Sequence, residues 1–139
     1  MSEALSAEQV QERIAISPFI ELMGLTVVSA DHDTQEITMQ MPFKPEFERK
    51  GGTGQFHGGV IAALIDTVGD YALGMMVGSG LPTINFRTDY LRPAINTSLT
   101  ATARVRRMGR SVGVADVDVF DDQGRLVAIG RGTYAMVTG

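Results

Sequence analysis

GQFHGGVIAALIDTVGDYALGMMV, residues Gly54 to Val77, is the stretch whose reading decides the fold. It opens with small residues and one histidine, His57, followed by the glycine pair Gly58 and Gly59. A long apolar run follows, interrupted by two carboxylates, Asp66 and Asp70. Nothing between Phe43 and Leu81 alternates as a strand would, and the Ala-, Leu- and Ile-rich run is long enough for about five helical turns. A helix that is apolar almost all round belongs inside a protein or a membrane. A membrane span needs about 20 apolar residues, and an aspartate near its centre costs roughly 2.5–3.5 kcal/mol. Asp66, Thr67 and Asp70 sit mid-run, so the reading is a central helix wrapped by other structure.

The remaining composition fits that reading. A chain of 139 residues, 44% apolar and 20% charged, is the size and make-up of one domain, residues 1–139, with one core. A net charge of −4 argues against nucleic-acid binding, which wants a basic face. There is no cysteine, hence no disulfide or thiolate metal site. With no signal-peptide pattern at the start, the expected location is the cytoplasm. His32 and His57 lie far apart, and no metal-binding spacing surrounds either, so no metal is expected.

Outward from the helix, residues 1–23 read as an N-terminal helical segment. Ser6 is an N-cap with Gln9 three residues on, and Val10 and Ile14 form an apolar stripe that ends before Pro18. Phe19, Ile20, Leu22 and Met23 suggest a second short turn closed by Gly24. The period then changes. Leu25–Ala30 and the alternating Ile37, Met39 and Met41 read as a hairpin. After the helix, Leu81–Arg92 alternates Ile84, Phe86, Thr88 and Tyr90 with Asn85, Arg87 and Asp89. Leu99–Arg106 alternates likewise. Val112 and Val114 fall in one phase and Ala115, Val117 and Val119 in the other, a slip that suggests a bulge near Gly113. Asp121-Asp122-Gln123-Gly124 is a hairpin turn, and Leu126–Val137 a last strand, apolar enough at its start to be buried on both faces. One long apolar helix with no helical layer to cover it leaves only a sheet to do so. The expected class is α+β, with a strongly bent antiparallel sheet of six strands around the helix.

A carboxylate on so apolar a helix costs several kcal/mol to bury unpaired, so Asp66 either faces a pocket or has a partner, backbone or Tyr90. Asp70, one turn on along the same face, reads as the structural member of the pair. At the helix start, Gly58 and Gly59 leave backbone N–H groups free at the positive end of the dipole, which suits an oxyanion or a polarised carbonyl. The same glycine pair also suits a tight loop-to-helix entry, and His57 a general base, a positioner or a turn residue. Eight residues separate Gly58 from Asp66, about 12 Å of helix, too far for both to act on one atom. If both act together, two antiparallel helices must face each other across a homodimer with composite sites.

HGG with an aspartate nine positions after the histidine, in HGGVIAALIDTVGDYA, resembles the hotdog-fold acyl-CoA thioesterases, in the branch named for the phenylacetate-pathway thioesterase. Tyr90-Leu91-Arg92-Pro93 resembles that family's strand end, Arg106–Ser111 its basic turn, and Asp122–Ala128 its last hairpin. The resemblance extends from Gly24 to Val137. It implies a long central helix wrapped by a curved six-stranded antiparallel sheet, and hydrolysis of a small aromatic or medium-chain acyl-CoA to the acid and coenzyme A. It implies that Gly58 and Gly59 polarise the thioester carbonyl, that Asp66 acts as nucleophile or general base, that His57 helps hold the thioester end, and that Thr83, ten positions before Pro93, assists. It further implies coenzyme A phosphates on Arg92, Arg107 and Arg110, no cofactor beyond the coenzyme A of the substrate, and a homodimer paired again into a homotetramer. The acyl tail is expected between the two helices, against Leu64, Val68 or Met75. Many family members have an asparagine six residues before the histidine, where this chain has Gly51, with Gln55 as the nearest substitute. That departure keeps open a non-catalytic acyl-CoA-binding module. A hydratase or dehydratase ranks lower, since no second titratable residue stands beside His57.

Overall fold

The computed structural model describes residues 3–137, so the first two residues of the N-terminal segment lie outside it. Helix α1 (Ala7–Ala15) starts on a capping box: Ser6 accepts from the Gln9 amide, and the Gln9 side chain accepts from Ser6 in return. Helix α2 (Pro18–Met23) begins on proline and stops at Gly24, whose φ of 72° is left-handed. Strands β1 (Thr26–Asp31) and β2 (Glu36–Met41) form the expected hairpin. A single 3-10 turn, Pro45–Phe47, interrupts the loop before helix α3 (Gly58–Val77). Strands β3 (Thr83–Tyr90), β4 (Leu99–Met108), β5 (Val112–Asp121) and β6 (Leu126–Ala135) complete the chain.

All six strands join one antiparallel sheet in the order β1-β2-β4-β5-β6-β3. It wraps α3 without closing, so β1 and β3 are free edges. The core consists of the sheet-facing residues of α3, among them Leu64, Ile65, Val68, Ala72 and Leu73, against Ile37, Met39, Met41, Leu99, Ala101, Ala103, Val117 and Val119. By length and composition α3 is apolar enough to cross a membrane, but its buried residues are packed against this sheet. Helix and sheet approach most closely at glycines. A Cβ on Gly69 would lie 2.5 Å from the Tyr134 hydroxyl, and one on Gly130 would lie 2.5 Å from Ile65 Cγ2.

Two details differ from the sequence expectations. The irregularity near Gly113 is in the neighbouring strand: Val105 pairs with Ala115 and Arg107 with Val114, so Arg106 of β4 is the extra residue. Strand β5 keeps its alternation throughout, with Gly113, Ala115, Val117 and Val119 buried and Val112 and Val114 on the outer face. The apolar outer valines created the false slip. The second difference is β3, which buries neither face within one chain. Ile84 is 57% exposed, Tyr90 53% and Phe86 37%.

The Gly69 contact sets up a competition of known sizes. Alanine gains up to about 1 kcal/mol over glycine in a helix interior, whereas forcing a methyl into a filled core costs about 1–3 kcal/mol. Gly69→Ala is therefore expected to lower the thermal midpoint. Adding Tyr134→Phe, which removes the clashing hydroxyl, should make the double variant more stable than the two separate losses add up to, as read by thermal denaturation.

Candidate active site

Three aromatic residues fix the entry to α3. Phe56 stands edge-on to Phe43, with centroids 5.6 Å apart, and stacks on Phe47 at 6.2 Å. The Phe56 amide donates to Ala94 O and the His57 amide to Phe47 O, at 3.0 and 2.7 Å. His57 is thereby held as the N-cap. Its Nδ1 accepts from the Gly59 amide at 2.8 Å, and its carbonyl accepts from Val60. This narrows the expected pair of polarising amides. The Gly59 N–H is already taken by the histidine, while the Gly58 N–H has no acceptor among the described residues. On the other side of the same turn, the Tyr90 hydroxyl donates to Gly58 O at 2.5 Å. A Cβ on Gly58 would lie 3.2 Å from that ring and hydroxyl, a tight contact that glycine avoids.

Eight residues further along α3, Asp66 Oδ1 accepts the Thr83 hydroxyl at 2.7 Å. The partner of the Asp66 side chain is thus Thr83; Tyr90 is bonded at the helix start. The Asp66 carbonyl accepts from the Tyr134 hydroxyl at 2.8 Å. Burial pushes the Tyr134 and Tyr90 phenols above their ordinary range, so both remain donors at neutral pH. Simple alternation would not put Thr83 here. Thr83 pairs with Tyr134 and Asn85 with Thr133, so Ile84 is an extra, bulged residue. The bulge moves Thr83 out of phase with Asn85, Arg87 and Asp89 and onto the side of Tyr90, towards α3. Arg87 and Asp89 line the charged outer face with Asp116 and Arg131.

Asp70, one turn beyond Asp66, accepts the Leu81 amide at 2.7 Å. Its carboxyl is pushed up from the ordinary 3.8 to about 7, chiefly by burial and further by the charge of Asp66, with the Leu81 bond pulling the other way. Around these two acids α3 is not sealed. Gly59 is exposed, and Ala62, Ala63, Asp66, Thr67 and Asp70 are half-buried. This stripe of small and polar side chains faces away from the sheet. Leu64, Val68 and Met75 are fully buried against the sheet, and cannot line an acyl tunnel as expected.

Two cavities flank the start of α3. One, of about 360 Å³, is lined by Gly58, Tyr90, Gln55, Arg92 and also Arg49. The other, of about 280 Å³, is walled mainly by apolar side chains from α2 and α3, Phe19, Leu22, Met23, Val60 and Ala63, with His57 and Gly59 at its edge. The sequence does not single out Arg49, and it offers Tyr90 only as a partner for Asp66 and the α2 residues only as a short turn, because their place around these cavities comes from the fold. Gly51 sits in an exposed turn where an added Cβ would touch nothing within 4 Å. Arg107 and Arg110 lie at the other end of the molecule. Their turn leads into Gly113, whose added Cβ would meet Leu73 at 2.9 Å. Gly58 and Leu73 are about 22 Å apart along α3. Within one chain the basic turn and Arg92 therefore do not share a site.

Residues 53–128 match the family model of the Thioesterase superfamily. The chain belongs to this superfamily. Thioester hydrolysis is its enzyme class, and its architecture is the hotdog fold, here with the sheet left open. Among its relatives, a putative esterase of Halobacterium salinarum is 33% identical over 93% of this chain and 91% of its own length. The acyl-coenzyme A thioesterase PaaI of Escherichia coli is 31% identical over 84% and 81%. The crystal structure of zebra fish thioesterase superfamily member 2 superposes with a TM-score of 0.84 at 27% identity, covering 96% of this chain and all of that one (100%).

The position of Asp70 has a consequence for stability. A carboxyl held at about 7 in the folded chain and near 3.8 when unfolded binds its proton more tightly when folded. Its contribution is present at acid pH and is lost as pH rises from about 4 to about 7. Asp70→Asn, which cannot titrate, should remove that decline, so that its thermal midpoint gains on the wild type between pH 5 and pH 8.

Proposed function

We propose that this chain hydrolyses a small aromatic or medium-chain acyl-CoA to the free acid and coenzyme A, in a site shared between two antiparallel copies. The observation that carries this reading is the bonded pair of Thr83 and Asp66 on a face of α3 that the chain's own sheet leaves uncovered. The midpoint between Gly58 and Asp66 is position 62. Ala62 and Ala63, half-buried and small, stand at that crossing and allow two helices to approach closely. A two-fold axis there sets the Gly58 amide of one copy opposite the Asp66 of the other. The exposed apolar edge of β3 gives the pair a second contact, strand against strand.

In this arrangement the thioester carbonyl accepts from the Gly58 N–H at the positive end of α3, which stabilises the developing oxyanion. His57 keeps the turn rigid by capping Gly59. Asp66, oriented by Thr83, either takes a proton from the attacking water or attacks the carbonyl carbon itself. On the first route the carbon–sulfur bond then breaks and the proton passes to the departing thiolate. On the second the thiolate leaves a mixed anhydride on Asp66, and water hydrolyses that anhydride to release the acid, restore the carboxylate and supply the thiolate's proton. The acyl group occupies the apolar cavity beside Gly59, between α2 and α3. On the other side, Arg92 and Arg49 offer charge-assisted hydrogen bonds to the phosphates. The second copy's Arg107 and Arg110, at the far end of its own α3, extend past the same helix start.

A panel of phenylacetyl-, benzoyl- and medium-chain acyl-CoA with a thiol reagent tests this reading. Thiol release that disappears in Asp66→Asn with the fold retained supports it; full turnover in that variant, or tight binding without thiol release, overturns it. Ala62→Arg places a long cation at the proposed crossing. The expected result is a monomer by light scattering, with turnover reduced by at least about a hundredfold, because a site missing half its groups loses its positioning.

A further inference from the structure

The two carboxylates of α3 hold the same short segment at two points. Asp70 Oδ1 accepts from the Leu81 backbone N–H at 2.7 Å, and two residues later the Thr83 hydroxyl donates to Asp66 at 2.7 Å. Between them, the Pro82 carbonyl accepts from the Ala135 amide at 2.9 Å, and immediately afterwards Ile84 bulges out of register. Besides these bonds the Leu81 side chain is buried in the core, and the residues after it are not held in that way. Pro82, Thr83, Ile84 and Asn85 are exposed, and β3 is an edge strand with a single neighbour, β6. A slip of one residue in a strand's pairing reverses its side chains, and the bulge is the one irregular point in the β3–β6 register. Such a slip would turn Thr83 to the outer face, away from Asp66.

We infer that Asp70 is a positioning residue: by fixing the Leu81 amide it sets where β3 starts, and so keeps the Thr83 hydroxyl on Asp66. This rests on the hydrolytic reading for its effect on turnover, but not for its effect on the strand. The alternative, that Asp70 is merely tolerated at the helix surface, does not account for the direction of its bond. The carboxylate reaches off its own helix to an amide that precedes the first strand residue, and a Cβ on neighbouring Gly80 would lie 3.6 Å from its other oxygen. The ionisable groups around Asp70 are Asp66 and Tyr71 on α3 and Tyr134 from β6, with Arg13 of α1 acting on Tyr71. An ionised Asp70 holds the Leu81 N–H more strongly than a protonated one, because a charged acceptor makes the stronger bond.

The experiment compares Asp70→Ala, Asp70→Asn and wild type by amide hydrogen exchange and by steady-state kinetics across pH 5.5–8.5. In Asp70→Ala the Leu81 amide is expected to exchange at least about tenfold faster, and kcat to fall at least about tenfold with KM within about threefold, the pattern of a misplaced catalytic group. Asp70→Asn keeps an acceptor oxygen, so it should restore most of the Leu81 protection and of kcat, and should lose the rise in kcat expected of the wild type as Asp70 ionises near pH 7. Wild-type exchange at Leu81 in Asp70→Ala overturns the anchor. Faster exchange with unchanged kcat overturns the positioning role. If Asp70→Ala does not fold, an unaltered pH profile in Asp70→Asn overturns the inference by itself. Absence of thiol release from the wild type refutes the hydrolytic reading, and the exchange at Leu81 then decides the anchor.

Discussion

A sheet of six strands covers one side of a helix and leaves the other. That constraint underlies every feature of this molecule. On the covered side, α3 is aliphatic and packs on Ile37, Met39, Ala101 and Val119. The approach is so close that Gly69, Gly130 and Tyr134 leave no room for a further methyl. On the uncovered side stand Gly59, Ala62, Ala63, Asp66, Thr67 and Asp70. The chain can afford two carboxylates on its most apolar helix because neither enters the core. Each reaches sideways to one short piece of backbone and side chain at the start of β3.

The two acids differ by environment. Asp66 keeps an exposed hydrogen bond to a hydroxyl. Asp70 is more shielded, and it feels the charge of Asp66 across one helical turn. Burial first, and the neighbouring like charge second, disfavour the ionised form of Asp70. Asp66 is thus the more accessible of the two, and Asp70 the one bonded to backbone.

Much of this was legible from the sequence because the relevant signals are local. The helix announced itself by an unbroken apolar run, α1 by Ser6 and Gln9, and the hairpins by alternation and by Asp121–Gly124. Asp66, His57 and Gly58 were marked by position relative to the helix start. What could not be read depends on pairing between distant strands. Alternation alone assigns Thr83 to the face of Asn85; the resemblance pointed to this residue, and the bulge at Ile84 is the physical reason it faces α3. The bulge in β4 was misplaced onto β5 because Val112 and Val114, though apolar, lie outside. Sequence alone allows Leu64, Val68 and Met75 to line an acyl tunnel, because hydrophobicity does not say which side of a helix the sheet takes; all three are fully buried. Arg49 and Arg92, more than forty positions apart, come together only around the cavity at Gly58.

The single inserted residue in β3 bears on how this chain tolerates change in length. As an edge strand, β3 has one neighbour, β6, to readjust when its length changes. Here the count from Leu81 to Asn85 is a phase setting, tied at one end to a helix and at the other to the Thr133 register. Deleting the bulged Ile84 would keep Thr83 opposite Tyr134 and Asn85 opposite Thr133, whereas a residue gained or lost between Leu81 and Thr83 would pull the hydroxyl away from the anchor at Asp70, so the two halves of this short surface stretch differ in their tolerance of a change in length.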